Sequence, residues 1–367
     1  MKILHIINSL QADGGAENLL FDITTLQKNT GDRVKVVVFI YDQPNVSYLY
    51  TKAKTAGIDV IFLKQNAKYS LINLFDLRKV LVQEKPDIIH SHLFPSQYIS
   101  VLATIGLKFK LITTEHSSWN TRRKIAWLKP LEQFIYNKYY KIICISEEAK
   151  NSLVKHIGNK IEDRCVIIEN GINLSKFEEV CKYDLSFSCN QLINIVMIAR
   201  FSPDFAKDHT TVVKALLHLP ENIQVTFIGD GALRAETEKL VDTLGLTSRV
   251  IFFGVRDNIP ALLSKFNIGI LSSNWEGLPL SIIELMAAGL PVIVSDIPGL
   301  RHIVEGYGLL FEKGDALDLA EKIKSLINNK KLYQQIKQQC INRAQDFDIR
   351  HTVTKYNELY LNLIGQI

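Results

Sequence analysis

At 367 residues the chain is long enough for two domains of ordinary size. Its 47% hydrophobic and 22% charged content is typical of a globular protein and excludes a disordered or fibrous one. No apolar stretch reaches the roughly 20 residues that cross a bilayer, and we expect the N-terminus to be a strand rather than a signal peptide. The chain has five cysteines, which is an odd number, and no C-x-x-C pair. The cysteines therefore indicate neither a disulfide framework nor a zinc site. We therefore expect a cytoplasmic protein.

Positive charge is concentrated in the first half. Residues 1–180 carry 24 Lys and Arg against 18 Asp and Glu, while the whole chain has a net charge of +5. Basic and aromatic side chains together predict a peripheral surface that binds anionic lipid headgroups. The alternative is a solvated surface over a buried aromatic core. We expect no nucleic-acid partner. These residues are Lys108, Lys110, Arg122, Arg123, Lys124, Lys129, Lys138 and Lys141, interleaved with Trp119, Trp127, Phe134, Tyr136, Tyr139 and Tyr140.

Strands and helices alternate through residues 1–175. This alternation predicts a first domain with a parallel sheet and helices on both of its faces. The predicted strands are Lys2–Asn8, Val34–Ile40, Asp59–Leu63, Asp87–Ser91, Lys110–Thr114, Lys141–Ile145 and Val166–Ile168, with helices such as Glu17–Thr25, Ser70–Gln83 and Glu147–Ile157 between them.

Candidate site residues follow three of these strands, because doubly wound sheets bind ligands outside the carboxyl ends of their strands. Gly14 and Gly15 come after the first strand, where paired glycines entering a helix let the backbone approach a phosphate. They do not form the G-x-G-x-x-G fingerprint of dinucleotide binding. His90, His92 and His116 follow the fourth and fifth strands; burial with a backbone partner is an open alternative for each, and we expect no metal site.

A second alternating series occupies residues 190–349 and predicts a second doubly wound domain. The tail from residue 350 to 367 has the apolar spacing of a further amphipathic helix. Predicted strands are Ile193–Ile198, Gln224–Ile228, Val250–Phe253, Ile268–Leu271 and Pro291–Val294, and predicted helices are Thr210–Leu217, Leu233–Leu244, Ile259–Ser264, Leu280–Ala288 and Ala316–Asn328.

Two cations follow the first strand of this second series. Arg200 and Lys207 could supply fixed positive charge beside a diphosphate, because their side chains donate charge-assisted hydrogen bonds to phosphate oxygens. Their place at the switch point of the predicted sheet is what makes the pair informative.

The most informative segment is Glu276-Gly277-Leu278-Pro279, with Glu284 eight residues after the first glutamate. Pro279 suits the first turn of a helix that continues from Leu280. The open N–H groups of a helix N-terminus bind anions, and carboxylates beside them can accept hydrogen bonds from sugar hydroxyls. The segment therefore predicts a pocket for a nucleotide-sugar; for the glutamate pair alone, a capped helix with two solvated acids is the alternative.

Taken in order, five motifs resemble those of a family 4 retaining glycosyltransferase of GT-B fold, over nearly the whole chain. They are Gly14-Gly15-Ala16-Glu17, Thr114-Glu115-His116, Asn170-Gly171-Ile172, Arg200 with Lys207, and Glu276-Gly277-Leu278-Pro279 with Glu284. The resemblance implies an α/β protein with two Rossmann-like domains that face a cleft, and a last helix that returns to the first domain. The lysine usually follows the arginine by five residues in that family, but here by seven, so the residues between must bulge.

The resemblance also implies a role for each site residue. Gly14 and Gly15 would approach the donor, and His116 would hydrogen-bond its sugar. Arg200 and Lys207 would neutralise the departing diphosphate. Glu276 would contact the sugar hydroxyls and complete the catalytic set with His116, Arg200 and Lys207. The other donor-binding residues would be Glu284 at the ribose, Arg256 at the base, and the segment Gly277, Leu278, Pro279 and Leu280.

The implied reaction is metal-independent sugar transfer from a UDP-sugar, or next a GDP-sugar, to an acceptor, without a further cofactor. A lipid-linked glycan in cell-surface polysaccharide synthesis is the expected acceptor. The one D-x-D string, Asp346-Phe347-Asp348, lies beside the last helix and is interpreted as part of the helix end. The alternatives are a sugar-nucleotide epimerase or phosphorylase of the same fold and an inactive partner subunit that binds nucleotide-sugar.

Overall fold

The computed structural model describes residues 1–10, 15–39, 43–63, 70–116, 121–181, 191–256 and 258–365. The chain divides into two compact units. The first comprises Met1–Gly171 together with Ile349–Ile367, and the second comprises Ile172–Asp348. Each unit is built around its own parallel sheet, so the predicted class of two doubly wound α/β domains is confirmed.

Seven strands form the sheet of the first unit: β1 (Lys2–Ile7), β2 (Arg33–Val38), β3 (Asp59–Phe62), β4 (Ile88–His92), β5 (Lys110–Glu115), β6 (Lys141–Cys144) and β7 (Cys165–Ile167). Their order is β3-β2-β1-β4-β5-β6-β7, with every neighbouring pair parallel. All seven coincide with predicted strands, because strands covered on both faces are almost continuously apolar. The order reverses between β1 and β4, where doubly wound sheets bind ligands.

Helices connect these strands: α1 (Gly15–Asn29), α2 (Gln43–Thr55), α3 (Ile72–Glu84), α4 (Ser96–Thr104), α5 (Lys129–Tyr136) and α6 (Glu147–Ile157). A short helix, α7 (Glu178–Cys181), lies in the second unit within sequence for which we predicted no helix. The side chain of Ser146 caps α6 by accepting a hydrogen bond from the backbone N–H of Ala149, which fixes where this helix begins.

The sheet of the second unit contains β8 (Ile193–Ile198), β9 (Ile223–Ile228), β10 (Val250–Gly254), β11 (Ile268–Leu271), β12 (Val292–Ser295) and β13 (Leu309–Phe311). Its order is β10-β9-β8-β11-β12-β13, again parallel throughout. The first five strands coincide with predictions, whereas β13 was not predicted. The order reverses between β8 and β11, so the loops after these two strands lie at the switch point.

The remaining helices are α8 (His209–Ala215), α9 (Arg234–Thr243), α10 (Ile259–Leu263), α11 (Leu280–Ala287), α12 (Pro298–Val304), α13 (Ala316–Ile327), α14 (Lys330–Ala344) and α15 (Ile349–Ile364). The last of them, α15, belongs to the first unit and lies against α1. Among the helices that the structure describes, none has both the length and the apolar character that crossing a bilayer requires.

Candidate active site

The segment from Glu276 to Leu280 connects β11 to α11 in the second unit. Pro279 lies at the N-cap position, one residue earlier than the first-turn position that we predicted, and no side-chain hydrogen bond caps this end of α11. The backbone N–H of Ile282 donates to the carbonyl of Pro279 at 3.3 Å, which closes the first turn. An uncapped helix N-terminus of this kind favours an anion.

Glu276 is the centre of a polar cluster in front of this helix. Its carboxylate forms an ion pair with the ammonium group of Lys207 and accepts a hydrogen bond from the hydroxyl of Ser273 at 2.6 Å. Both charged side chains are largely buried, with 17% of Lys207 and 11% of Glu276 exposed. The structure thus brings two predicted site residues together, one from each loop at the switch point.

The loop before Lys207 absorbs the lengthened spacing from Arg200. A short turn closes it: the carboxylate of Asp204 accepts hydrogen bonds from the Ser202 hydroxyl at 2.6 Å and the Ala206 N–H at 3.2 Å. Phe205 has a φ of 58°, which lets the chain reverse. Lys207 then forms an antiparallel bridge with Ser273, so the additional residues protrude while the lysine stays beside Glu276.

Arg200 follows β8 and is exposed. The backbone on either side of it lies directly against Gly229 and Gly231, where a Cβ atom would collide with the carbonyls of Ala199 and Phe201. This pair of glycines therefore serves the close approach of two backbone segments, and the approach fixes where the arginine leaves the sheet.

The other predicted donor-binding residues of this unit are placed by α11 and β10. Glu284 lies in the second turn of α11 and is half-buried. Arg256 follows β10 and is exposed, with its guanidinium group 5.3 Å from the centre of the Phe253 ring. Leu278 is buried and Gly277 half-buried in the connecting segment. Their roles toward a donor stay predictions.

In the first unit, Gly15 is the first residue of α1 and is exposed. A Cβ atom at this position would have no described neighbour within 4 Å, so a ligand could approach the backbone here. Gly14, the other glycine of the predicted pair, lies outside the described residues.

His116 follows β5 and belongs to a cluster of four histidines with His5, His90 and His92. His116 Nε2 lies 3.3 Å from His92 Nδ1, and His92 Nε2 lies 3.1 Å from His5 Nδ1. His90 packs beside His92, with ring centres 4.1 Å apart and ring planes tilted by 33°. The predicted catalytic histidine is therefore the outermost member of a row that runs into the sheet.

These rings are held neutral. Burial lowers the pKa of His5 and of His116 to about 4. Burial, together with the neighbouring imidazoles, lowers the pKa of His90 and His92 well below the ordinary value. A neutral imidazole donates through one nitrogen and accepts through the other, so the row can be hydrogen-bonded throughout.

His5, His90 and His92 each offer a ring nitrogen within 4.8 Å of the others, which is close enough for a cation. Every nitrogen of these three rings already has a hydrogen-bonding neighbour. His5 Nε2 lies 2.9 Å from Gln27 Oε1, and the two nitrogens of His90 lie 2.6 and 2.7 Å from the hydroxyls of Tyr360 and Thr114. Neutral, hydrogen-bonded rings account for the cluster.

Two of the cations that we assigned to a lipid surface lie inside the first unit instead. Arg122 donates to the buried carboxylate of Glu132 at 3.3 Å, and His156 Nε2 lies 2.5 Å from the other oxygen of the same carboxylate. Arg123 lies 3.9 Å from Glu115 and is 9% exposed. The prediction of a surface role was wrong for this pair, because buried acids on neighbouring elements attract their guanidinium groups.

Sequence reasoning overlooked Ser273 and His5. Ser273 had no signal of its own, since a serine after a strand is common. His5 had a recognisable signal, because it is a titratable residue within a largely apolar strand. His90 has a similar place in β4. Once β1 and β4 are adjacent, these two residues lie opposite each other.

Two family models match the chain. The model described as Glycosyltransferase Family 4 matches residues 13–176, and the model described as Glycosyl transferases group 1 matches residues 190–343. The two matches are consecutive and together account for most of the sequence.

Three curated relatives match over most of their lengths. GalNAc-alpha-(1->4)-GalNAc-alpha-(1->3)-diNAcBac-PP-undecaprenol alpha-1,4-N-acetyl-D-galactosaminyltransferase of Campylobacter jejuni is 28% identical, over 100% of this chain and 99% of its own. UDP-Gal:alpha-D-GlcNAc-diphosphoundecaprenol alpha-1,3-galactosyltransferase of Escherichia coli is 27% identical, over 97% and 93%. An uncharacterized glycosyltransferase of Methanocaldococcus jannaschii is 30% identical, over 71% and 72%.

Solved structures agree in fold. Anabaena HepE in complex with UDP and glucose has a TM-score of 0.82 at 22% identity, over 98% of this chain and 99% of the other. Sucrose-phosphate synthase from Thermosynechococcus elongatus has a TM-score of 0.83 at 19% identity, over 100% of both chains. The predicted GT-B fold is thereby confirmed. Family models, relatives and fold lead to one conclusion: the chain belongs to glycosyltransferase family 4.

Proposed function

We propose that this glycosyltransferase transfers a sugar from a UDP-sugar to a polyprenyl-diphosphate-linked glycan, with retention of the anomeric configuration and without a metal ion. The observation that carries the proposal is the cluster of Lys207, Glu276 and Ser273 before the uncapped N-terminus of α11. It combines a fixed cation and open N–H groups for a diphosphate with a carboxylate for sugar hydroxyls.

Cleavage of the bond between sugar and phosphate leaves negative charge on the nucleoside diphosphate and positive charge on the sugar ring. Groups already in place to meet the leaving charge supply the largest catalytic effect in such sites. Arg200 and Lys207 would stabilise the departing phosphate, assisted by the dipole of α11. The acceptor hydroxyl would attack from the same face and pass its proton to an oxygen of the leaving phosphate.

The relatives favour the donor and acceptor named here. The E. coli relative is named for UDP-Gal and for an acceptor on diphosphoundecaprenol. The C. jejuni relative is named for an acceptor linked through PP to undecaprenol. Both names specify alpha products, and an α-linked product from an α-linked UDP-sugar means retention.

Other predicted residues take roles around the same donor in this proposal. His116 contacts a sugar hydroxyl, Glu284 the ribose and Arg256 the base. Gly14 and Gly15 let the donor approach the backbone of the first unit. These assignments rest on the family resemblance together with the exposure of Gly15 and Arg256.

A transfer assay in chelator tests the proposal. The purified chain is incubated with UDP-galactose, UDP-N-acetylgalactosamine and GDP-mannose, each with a polyprenyl-diphosphate-linked N-acetylhexosamine. We expect transfer from a UDP-sugar at an undiminished rate in EDTA, and an α linkage in the NMR spectrum of the product. Activity that disappears in EDTA and returns with Mn²⁺, or a β-linked product, would contradict the mechanism. Transfer to the free sugar at the same rate as to the lipid-linked one would contradict the acceptor.

An exposed face around α5 supports docking on anionic lipid, where a polyprenyl-linked acceptor would reside. Trp127 is 77% exposed, and Leu131 and Phe134 are each 43% exposed. Lys129 and Lys138 are exposed beside them. Apolar side chains flanked by lysines are typical of interfacial helices, which bury the apolar face and attract anionic headgroups. We call these five residues the docking face.

Vesicle binding tests the docking face. Replacing both lysines by glutamate should lower partitioning onto phosphatidylglycerol vesicles by more than about tenfold, since each lysine near an anionic surface contributes about 1 kcal/mol. The double change Trp127→Ser with Phe134→Ser should also weaken binding. This loss should depend less on salt concentration, because it removes apolar side chains rather than charges.

The matched control is Leu71→Ser with Phe75→Ser, because these apolar side chains are 76% and 62% exposed in the same unit but belong to the start of α3 rather than to α5. They should leave vesicle binding unchanged. If the control pair abolishes binding and the docking-face variants do not, lipid docks elsewhere.

A further inference from the structure

Gln27 is a fully buried amide on α1 at the inner end of the histidine row. Its Oε1 lies 2.9 Å from His5 Nε2, and its Nε2 donates to Asn357 Oδ1 on α15 at 3.4 Å. Burial raises the pKa of Tyr360 well above the ordinary value, while a hydrogen bond from Gln27 acts in the opposite direction. The NH₂ group of the amide therefore faces α15, and its oxygen faces His5.

This orientation determines which nitrogen of each histidine carries the proton. An amide oxygen only accepts, so His5 must donate from Nε2, and its Nδ1 keeps the lone pair. His92 must then donate from Nε2 to His5 Nδ1 across 3.1 Å. His116 must in turn donate from Nε2 to His92 Nδ1 across 3.3 Å. The lone pair of His116 is left on Nδ1.

We propose that Gln27 is a positioning residue that fixes the tautomer of His116 through His5 and His92. His116 then presents Nδ1 as an acceptor for a hydroxyl of the donor sugar. The contact with sugar rests on the proposed function, whereas the tautomer depends only on the hydrogen bonds within the first unit. His116 is neutral and accepts, so it neither donates a hydrogen bond to the sugar nor protonates it.

The surroundings of the row keep it neutral and aligned. None of the hydrogen bonds described for the rings of His5, His92 and His116 involves a carboxylate, so none of those partners stabilises an imidazolium. The lowered pKa values of His5 and His116 agree with neutral rings. His90 is held separately by the hydroxyls of Tyr360 and Thr114. His92, the second histidine of β4, thus forms the link, while His90, the first, packs against its ring.

Nitrogen NMR of the full chain labelled with ¹⁵N-histidine tests the tautomer directly, because long-range proton–nitrogen couplings distinguish Nδ1–H from Nε2–H. In the wild type, His5, His92 and His116 should each be a single Nε2–H tautomer. Resonances are assigned by loss of one signal in His→Gln variants. An Nδ1–H tautomer at His116 in the wild type would overturn the proposal without any variant being needed.

Two variants at position 27 test whether the amide sets the tautomer. Gln27→Met has a similar shape and no acceptor oxygen, so His116 should become a mixture of tautomers. Gln27→Glu retains an acceptor for His5 Nε2–H and should retain Nε2–H at His116 at alkaline pH, where the added carboxylate does not hold a proton on His5. A His116 spectrum that is the same in Gln27→Met as in the wild type would overturn the relay. Melting temperatures of both variants and the wild type show whether the variants are folded.

The sugar contact is tested with two probes, UDP and UDP-galactose. In Gln27→Met an even mixture of His116 tautomers should lower the affinity for UDP-galactose by about twofold, because the apparent affinity scales with the fraction of the competent tautomer, while the affinity for UDP stays constant. If the tautomer changes but the ratio of the two affinities does not, the contact between His116 and the sugar is wrong and the relay stands. An unchanged tautomer refutes the relay whatever the affinities are.

Discussion

Replacing Glu276 by alanine is expected to lower turnover by about 10²–10³-fold, the scale for losing one preorganised charged group in an active site. The carboxylate does two things in the proposed reaction. It binds sugar hydroxyls, and through its ion pair it keeps the ammonium group of Lys207 in place for the diphosphate. Arg200→Ala should cause a loss of the same order. The values of kcat and KM for the UDP-sugar measure both.

Lys207→Ala distinguishes a joint role from two separate ones. If Lys207 and Glu276 act on one donor as a unit, the double variant should lose little more activity than either single one. The matched control is Glu238→Ala, which removes a partly exposed surface ion pair with Arg234 in the same unit. Exposed pairs contribute about 0–1 kcal/mol, so its activity should stay within about threefold of the wild type. Turnover of Glu276→Ala within that range would exclude the residue from the mechanism.

The strands were predictable because fully covered parallel strands are continuous apolar runs bounded by turns. Twelve of the thirteen described strands, all except β13, coincide with predictions. This strand has only three residues, Leu309–Phe311, and is recognisable as a strand only because it pairs with β12. The predictions also missed α14, whose sequence is mostly polar and whose narrow buried side is set by tertiary packing.

The site was predictable where one local segment carries the chemistry, as in Glu276-Gly277-Leu278-Pro279. It was not predictable where partners come from distant segments. We expected the side chain of Arg122 at the surface, but its ion pair with Glu132 turns it toward a buried carboxylate. The bridge between Lys207 and Ser273 compensates for a spacing that departs from the family. His5 acquires its neighbours only when β1 and β4 become adjacent.

Mild acid is expected to destabilise the protein strongly, because several histidines are buried as neutral rings. Burial lowers the pKa of His5 to about 4 and that of His209, which stacks on Phe201, to about 3. Between these values and the ordinary pKa of 6.5, the unfolded chain binds protons that the folded chain does not. The free energy of unfolding is therefore highest above about pH 6.5 and falls as the pH decreases toward the folded pKa values.

Urea unfolding at about pH 7.5 and pH 5.5 measures this loss. Each such histidine should cost about 1 kcal/mol at the lower pH, and together with His90 and His92 the loss reaches several kcal/mol, a large share of an ordinary domain's stability. The carboxylates of Glu84 and Glu132 have pKa values lowered from 4.5 and contribute fully down to that pH, so this interval isolates the histidines.

His209→Gln should reduce the loss on acidification by about 1 kcal/mol, because it removes one buried titrating ring from the second unit. The exposed His218→Gln is the matched control in the same unit and should leave the loss unchanged. Each variant is compared with its own stability at the higher pH, so that any cost of the substitution itself cancels. A wild-type free energy of unfolding that is constant between the two pH values would mean that the buried rings take up protons without penalty. The neutral histidine row of the first unit would then have to be abandoned along with this prediction.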